Sequence, residues 1–91
     1  MPVLEKNMQI CNVKGLHARA AAKFVTCVNE YECDVLVSKD GSEVPGSSIM
    51  GLMMLAASKG TEIFVRADGP DASAALQALS ELVAERFHEE V

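Results

Sequence analysis

The sequence contains no tryptophan, one tyrosine and three phenylalanines, so its core has to be assembled from aliphatic side chains, methionine and alanine. No run of 18 apolar residues is present, which excludes a bilayer-spanning helix, and no polybasic stretch points to a membrane surface. Positive charge is scarce too: 8 Lys and Arg against 13 Asp and Glu leave a formal charge of −5, the wrong sign for a nucleic-acid partner. The first residues, Met1-Pro2-Val3-Leu4-Glu5-Lys6, lack the basic head and long apolar block of a secretory signal, so a cytoplasmic location is expected. Cys11, Cys27 and Cys33 are odd in number and spaced neither as a redox pair nor as a zinc knuckle. Reduced thiols, no metal and no cofactor are expected. A glycine-rich phosphate loop of the form Gly-x-x-x-x-Gly-Lys-Ser/Thr is also missing, which argues against a nucleotide-binding enzyme. A length of 91 residues supports one modest core, and residues 1–91 are read as a single domain.

What is present centres on Gly15-Leu16-His17-Ala18-Arg19-Ala20-Ala21-Ala22-Lys23-Phe24-Val25, where a strand-like segment gives way to an alanine-rich helical pattern. A helix start leaves backbone N–H groups without intrahelical partners and carries a partial positive charge, so it can hold an anion such as a phosphoryl group. Arg19 adds a planar cation that forks onto phosphate oxygens. His17 supplies a nucleophilic nitrogen on a side chain that changes charge near physiological pH. A single histidine near a helix start is more often a surface or capping residue, and that reading stands beside the chemical one.

Alternation of apolar residues marks four strands: Leu4 to Ile10, Cys33 to Ser38, Ser42 to Val44 and Thr61 to Ala67. Asp40-Gly41 is a two-residue hairpin turn, and Pro45-Gly46 is expected to stop the third strand. Ala18 to Asn29 reads as an amphipathic helix with Ala21, Phe24, Val25 and Val28 inward. Ser47 and Ser48 are placed to cap a short helix reaching about Ala56, with Leu52 and Leu55 inward and Ser58-Lys59-Gly60 as its close. Ile49, Met50 and Met53 cannot all turn inward on so short an element, so an apolar docking patch is expected there. The last helix starts at Asp68-Gly69-Pro70-Asp71, with Pro70 in the first turn and Asp71 complementing the dipole. Its stripe runs Ala72, Ala75, Leu76, Leu79, Leu82, Val83 and Phe87; His88 falls in the last turn without a functional role, and the acidic end is expected to fray. The order β-α-β-β-α-β-α implies an α+β fold, a four-stranded antiparallel sheet with three helices on one face.

Gly-Leu-His-Ala-Arg followed by Ala-Ala-Lys-Phe-Val resembles the active-site segment of HPr, the histidine-containing phosphocarrier family of the bacterial phosphotransferase system. Ser48-Ile49-Met50-Gly51-Leu52-Met53 resembles that family's regulatory serine region at the matching distance. The family's open-faced sandwich is the same β-α-β-β-α-β-α arrangement. Ala20 departs from the family's usual proline, leaving the helix start less fixed without altering the chemistry. The resemblance implies that Nδ1 of His17 takes a phosphoryl group from phosphorylated enzyme I, charged by phosphoenolpyruvate, and passes it to a histidine of an enzyme IIA. It also implies that Arg19 and the backbone N–H groups of Ala18 and Arg19 hold the oxygens, and that Ser48 is modified by an HPr kinase. Docking falls to Ile49, Met50, Met53 and Ala22. Such a protein is a carrier, not a stand-alone enzyme, and a monomer is expected. Both the sugar-uptake and the nitrogen-related branch fit. The alternative is a small α+β regulatory or interaction domain that acts through Ser48 and the Met50/Met53 patch with no phosphoryl transfer, His17 being incidental.

Overall fold

A computed structural model of the protein describes residues 3–91; Met1 and Pro2, part of the stretch read for a secretory signal, lie outside the described residues. Its elements in chain order are β1 (Val3–Gln9), α1 (Ala18–Asn29), β2 (Asp34–Lys39), β3 (Ser42–Pro45), α2 (Ile49–Met54), β4 (Glu62–Asp68) and α3 (Ala72–Ala84). The strands form one sheet in the order β1-β4-β2-β3. β1 and β2 both pair antiparallel with β4 and therefore run parallel to each other, which requires the long crossover that α1 supplies.

Period-two alternation decides which face is covered. Met8 pairs opposite Ile63, Val37 opposite Val65 and Val35 opposite Ala67, and all six are buried beneath the helices. α1 adds Ala20, Ala21, Phe24 and Val28, α2 adds Leu52, and α3 adds its apolar stripe from Ala72 to Val83. The opposite sheet face stays open, with Val3, Leu36 and Phe64 as apolar residues on it and Arg66 reaching Glu5 at 3.4 Å. Among the described residues no helix is long and apolar enough to cross a membrane.

Several local expectations are corrected. Pro45 does not stop β3 but is its last residue: β3 lies at the sheet edge, where the missing N–H costs no ladder bond, and Gly46 N–H still donates to the Val35 carbonyl at 2.7 Å. Only Ser48 caps α2, accepting from Gly51 N–H at 2.9 Å. That helix ends at Met54, not near Ala56, and the left-handed residue beyond it is Ala56 (φ 52°), while Gly60 belongs to the turn into β4. Gly51 sits in α2 because a Cβ there would lie 3.0 Å from that of Val44, so the helix can close onto β3.

At the start of α3, Asp71 is the cap residue and Pro70 precedes it, outside the first turn. Its carboxylate makes no cap bond; it accepts from Glu32 N–H at 2.8 Å, tying the α1–β2 loop to the helix start. The apolar stripe is buried as far as Phe87, yet the helix is not continuous that far. It ends at Ala84, and Arg86, Phe87 and His88 follow in left-handed conformation (φ 58°, 54° and 61°). This reversal drops Phe87 into the core and turns the tail back toward α1 instead of leaving it frayed.

Candidate functional site

His17 sits where the β1–α1 loop meets the helix, and the chain is held there by close backbone approaches. Leu16 is buried, and its N–H donates to the Ala57 carbonyl at 2.9 Å. Gly15 has φ +65°, and a Cβ on it would lie 2.3 Å from that same carbonyl oxygen, so the loop lies flat on the α2–β4 segment because position 15 has no side chain. Ile10 pairs on with the same segment, its N–H to Thr61 and its carbonyl from Gly60, so β1 feeds the loop from a fixed direction.

His17 is the N-cap of α1. Its carbonyl accepts from Ala21 N–H at 2.8 Å, the first helical bond, and its ring Nδ1 accepts from Arg19 N–H at 3.3 Å. Side-chain caps are usually Ser, Thr, Asp or Asn; an imidazole in this role points its unprotonated nitrogen at the positive end of the helix. The ring keeps 25% exposure, enough for an incoming group to reach it. Nε2 on the far edge meets Glu89 Oε2 from the returning tail.

Glu89 also accepts from Asn12 Nδ2 at 3.0 Å, and Asn12, fully buried, gives its other amide hydrogen to the Gly15 carbonyl at 2.8 Å. Both partners of that amide are acceptors, which fixes its orientation and leaves Oδ1 buried without a partner. Burial pushes the Glu89 carboxyl up, but hydrogen bonds from Asn12 and His17 and the charges of His17 and Lys23 outweigh it, holding the carboxyl below its usual value. Lys23 Nζ donates to the Phe87 carbonyl at 2.6 Å, so α1 clasps the left-handed turn that presents Glu89.

The remaining residues singled out in the sequence are spread around this point. Lys14, Arg19 and Lys23 line one shallow cleft with His88, Glu89 and Glu90, and Lys14 also lines a smaller one with His17. Ala18 N–H precedes the first helical bond and has no helical partner, whereas Arg19 N–H is already committed to Nδ1. Ser48 is half-buried at the start of α2, with Ile49, Met50 and Met53 exposed after it and Met54, 79% exposed, extending the patch. Ala22 lines the groove between α1 and α3. His88 faces Glu85 at 3.3 Å in the solvent. Asn12 and Glu89 are passed over by the sequence reading: neither lies in a motif, and their contact spans 77 residues. Cys11, Cys27 and Cys33 are all free and half-buried, with burial raising the thiols of Cys27 and Cys33.

Comparison with known proteins gives this arrangement a context. Residues 4–85 match the family model described as the PTS HPr component phosphorylation site. The chain is 49% identical over 88 residues to the phosphocarrier protein HPr of Xylella fastidiosa, covering 97% of this chain and 99% of that one. It is 37% identical over 89 residues to the phosphocarrier protein NPr of Shewanella violacea, covering 98% of each. Among solved structures, HPr-C-His from Thermoanaerobacter tengcongensis superposes with a TM-score of 0.92 at 39% identity over 97% of this chain and 99% of that one. The four-stranded antiparallel sheet with three helices on one face is thus the HPr fold, and the chain belongs to the HPr phosphocarrier family of the bacterial phosphotransferase system.

Proposed function

We propose that His17 carries the phosphoryl group: Nδ1 takes it from phosphorylated enzyme I and gives it to a histidine of an enzyme IIA. The observation that carries this reading is the ring's placement as the cap of α1, with Nδ1 against Arg19 N–H and one edge of the imidazole open to solvent. Attack by the Nδ1 lone pair forms the N–P bond, and the cationic ring that results is a good leaving group for the onward step. Arg19 N–H, which holds the lone pair in the free protein, then passes to a phosphoryl oxygen, beside Ala18 N–H and the cations of Arg19 and Lys14. Few other groups are needed, because such a transfer is mostly positioning and charge stabilisation. The protein is a carrier intermediate and not a stand-alone enzyme, and it works as a cytoplasmic monomer.

Ser48 is the second modification point in this reading. A phosphate there places about −1.5 to −2 charges at the cap of α2, beside exposed Ile49, Met50 and Met53. An ATP-dependent HPr kinase would thereby change which partners dock on α2 and on Ala22 without unfolding the domain.

Incubation with phosphoenolpyruvate and enzyme I tests the carrier role. One acid-labile phosphoryl group is expected on the wild type and none on His17→Ala; no label with a competent donor removes the reading. Acid-stable, ATP-dependent label abolished by Ser48→Ala is expected for the regulatory branch, and it is the outcome that favours a purely regulatory domain if His17 never labels.

A further inference from the structure

The two ring contacts of His17 together dictate where its proton sits. Arg19 N–H can only donate, so Nδ1 must present a lone pair; Glu89 Oε2 can only accept when ionised, so Nε2 must carry the hydrogen. The two contacts are unequal. An amide on Nδ1 at 3.3 Å is long and neutral, while the carboxylate on Nε2 is a charge-assisted partner whose side chain is only 14% exposed. We propose that Glu89 is a positioning residue for phosphoryl acceptance: its carboxylate fixes His17 in the Nε2–H tautomer and so reserves the Nδ1 lone pair as the nucleophile. The role rests on His17 being the phosphoryl acceptor.

Glu89 is held in place by three independent ties. Phe87 is buried two residues earlier, Lys23 grips the Phe87 carbonyl, and Asn12 Nδ2 occupies the second carboxylate oxygen. Neighbouring acids do not substitute for it: Glu85 is turned to His88, and Glu90 is exposed. In the transfer step Nδ1 bonds to the phosphorus of a donor phosphohistidine, and the donor's P–N bond breaks with its electron pair returning to the donor ring. No proton leaves His17. Nε2 keeps its hydrogen, the ring becomes cationic, and the Glu89 carboxylate faces the new charge directly. On the onward transfer the same pair returns the ring to its neutral state, poised as before.

Asn12 makes the charge of position 89 matter. Its amide donates to Glu89 Oε1 while His17 donates to Oε2, so the residue must offer two acceptors. A glutamine offers one acceptor and one donor, and its NH₂ group would favour the opposite tautomer, with the lone pair on Nε2. The test compares wild type, Glu89→Gln and the control Glu85→Gln, each labelled with ¹⁵N-histidine, unphosphorylated, in mildly alkaline buffer. In the wild type, Nδ1 of His17 is expected at a pyridine-like shift and Nε2 at a pyrrole-like one with a slowly exchanging proton. Glu89→Gln is expected to move the tautomer ratio toward Nδ1–H by roughly tenfold, the worth of a charged hydrogen bond. The rate of labelling by phosphorylated enzyme I should fall by a similar factor at unchanged KM for the donor, and Glu85→Gln should match wild type in both. Identical ring shifts in wild type and Glu89→Gln, or a wild-type ring that is mainly Nδ1–H, would overturn the proposal. Because the ring shifts are read without any phosphoryl donor, a correct tautomer in a protein that never labels defeats the carrier role instead.

Discussion

Replacing Gly15 with alanine tests whether the close approach of the His17 loop to the α2–β4 segment holds the site together. The added Cβ meets two separate obstacles. A left-handed backbone at φ +65° costs an L-residue about 1–2 kcal/mol. It also lies 2.3 Å from the Ala57 carbonyl oxygen and 3.0 Å from the Ser58 Cα, both backbone atoms with no flexible end to swing away. The loop must lift, which sacrifices the Leu16 N–H bond to Ala57, worth about 0.5–1.5 kcal/mol. Lifting also exposes part of Leu16, a further loss on the order of 1–2 kcal/mol. The total is about 3–5 kcal/mol, a large share of the roughly 5–14 kcal/mol expected for a chain of this length. Gly41 provides the control, because its φ of +85° is equally left-handed but its Cβ would meet nothing within 4 Å. Gly41→Ala should therefore lose only the conformational part, about 1–2 kcal/mol. Urea unfolding measures both: the midpoint of Gly15→Ala should fall about 2 M below wild type, and that of Gly41→Ala less than half as far. Equal losses in the two variants would refute the argument, since only Gly15 faces a wall.

Phe87→Ala should cost about 3–5 kcal/mol in a thermal or urea melt, because the ring is fully buried and also seats the turn carrying Glu89; a loss under about 1 kcal/mol would mean that the tail is not docked. Ser48→Ala should lose about 1 kcal/mol through the missing cap to Gly51 N–H, and Ser48→Asp should retain most of it; equal losses in both would dismiss the capping role. Stability should also depend on the ionisation of Glu89. Its folded value is depressed below the ordinary 4.5, so its contribution is fully present above that value and is lost as the pH falls through the lower folded value. Wild type should thus exceed Glu89→Gln in stability at neutral pH and converge with it in acid; a gap unchanged across that range contradicts the contacts assigned to the Glu89 carboxylate.

What the sequence revealed, it revealed through periodicity and local chemistry. The strands were legible because Ile63, Val65 and Ala67 alternate with exposed Glu62, Phe64 and Arg66, and α1 because Gly15 and His17 mark its start. The exposure of Ile49, Met50 and Met53 followed from counting apolar residues on too short a helix. The end of α3 was not legible. Phe87 keeps the helical spacing of the stripe, and a spacing cannot tell a continuing helix from a left-handed reversal that returns the same side chain to the core. Ala56 and Gly60 misled in a related way: glycine is the usual left-handed residue, but here the chain turns at an alanine because Leu55 and Ala57 on either side are buried. At Asp71 the cap chemistry was right for the residue type, yet the free N–H of Glu32 captured the carboxylate. Glu89 is one of three acids in the last seven residues, and nothing local separates it from Glu85 or Glu90; only the fold brings it to a histidine 72 positions earlier.

The returning tail has a practical side. Val91, two residues beyond the carboxylate that meets the imidazole, is exposed, so an affinity tag or fusion partner attached at that position hangs beside the His17 ring and pulls on its clasp. An extension ahead of β1 enters at the other end of a strand of 7 residues, away from the loop that carries His17. Recombinant material intended for labelling or ring spectroscopy is therefore best built with its handle at the front of the chain.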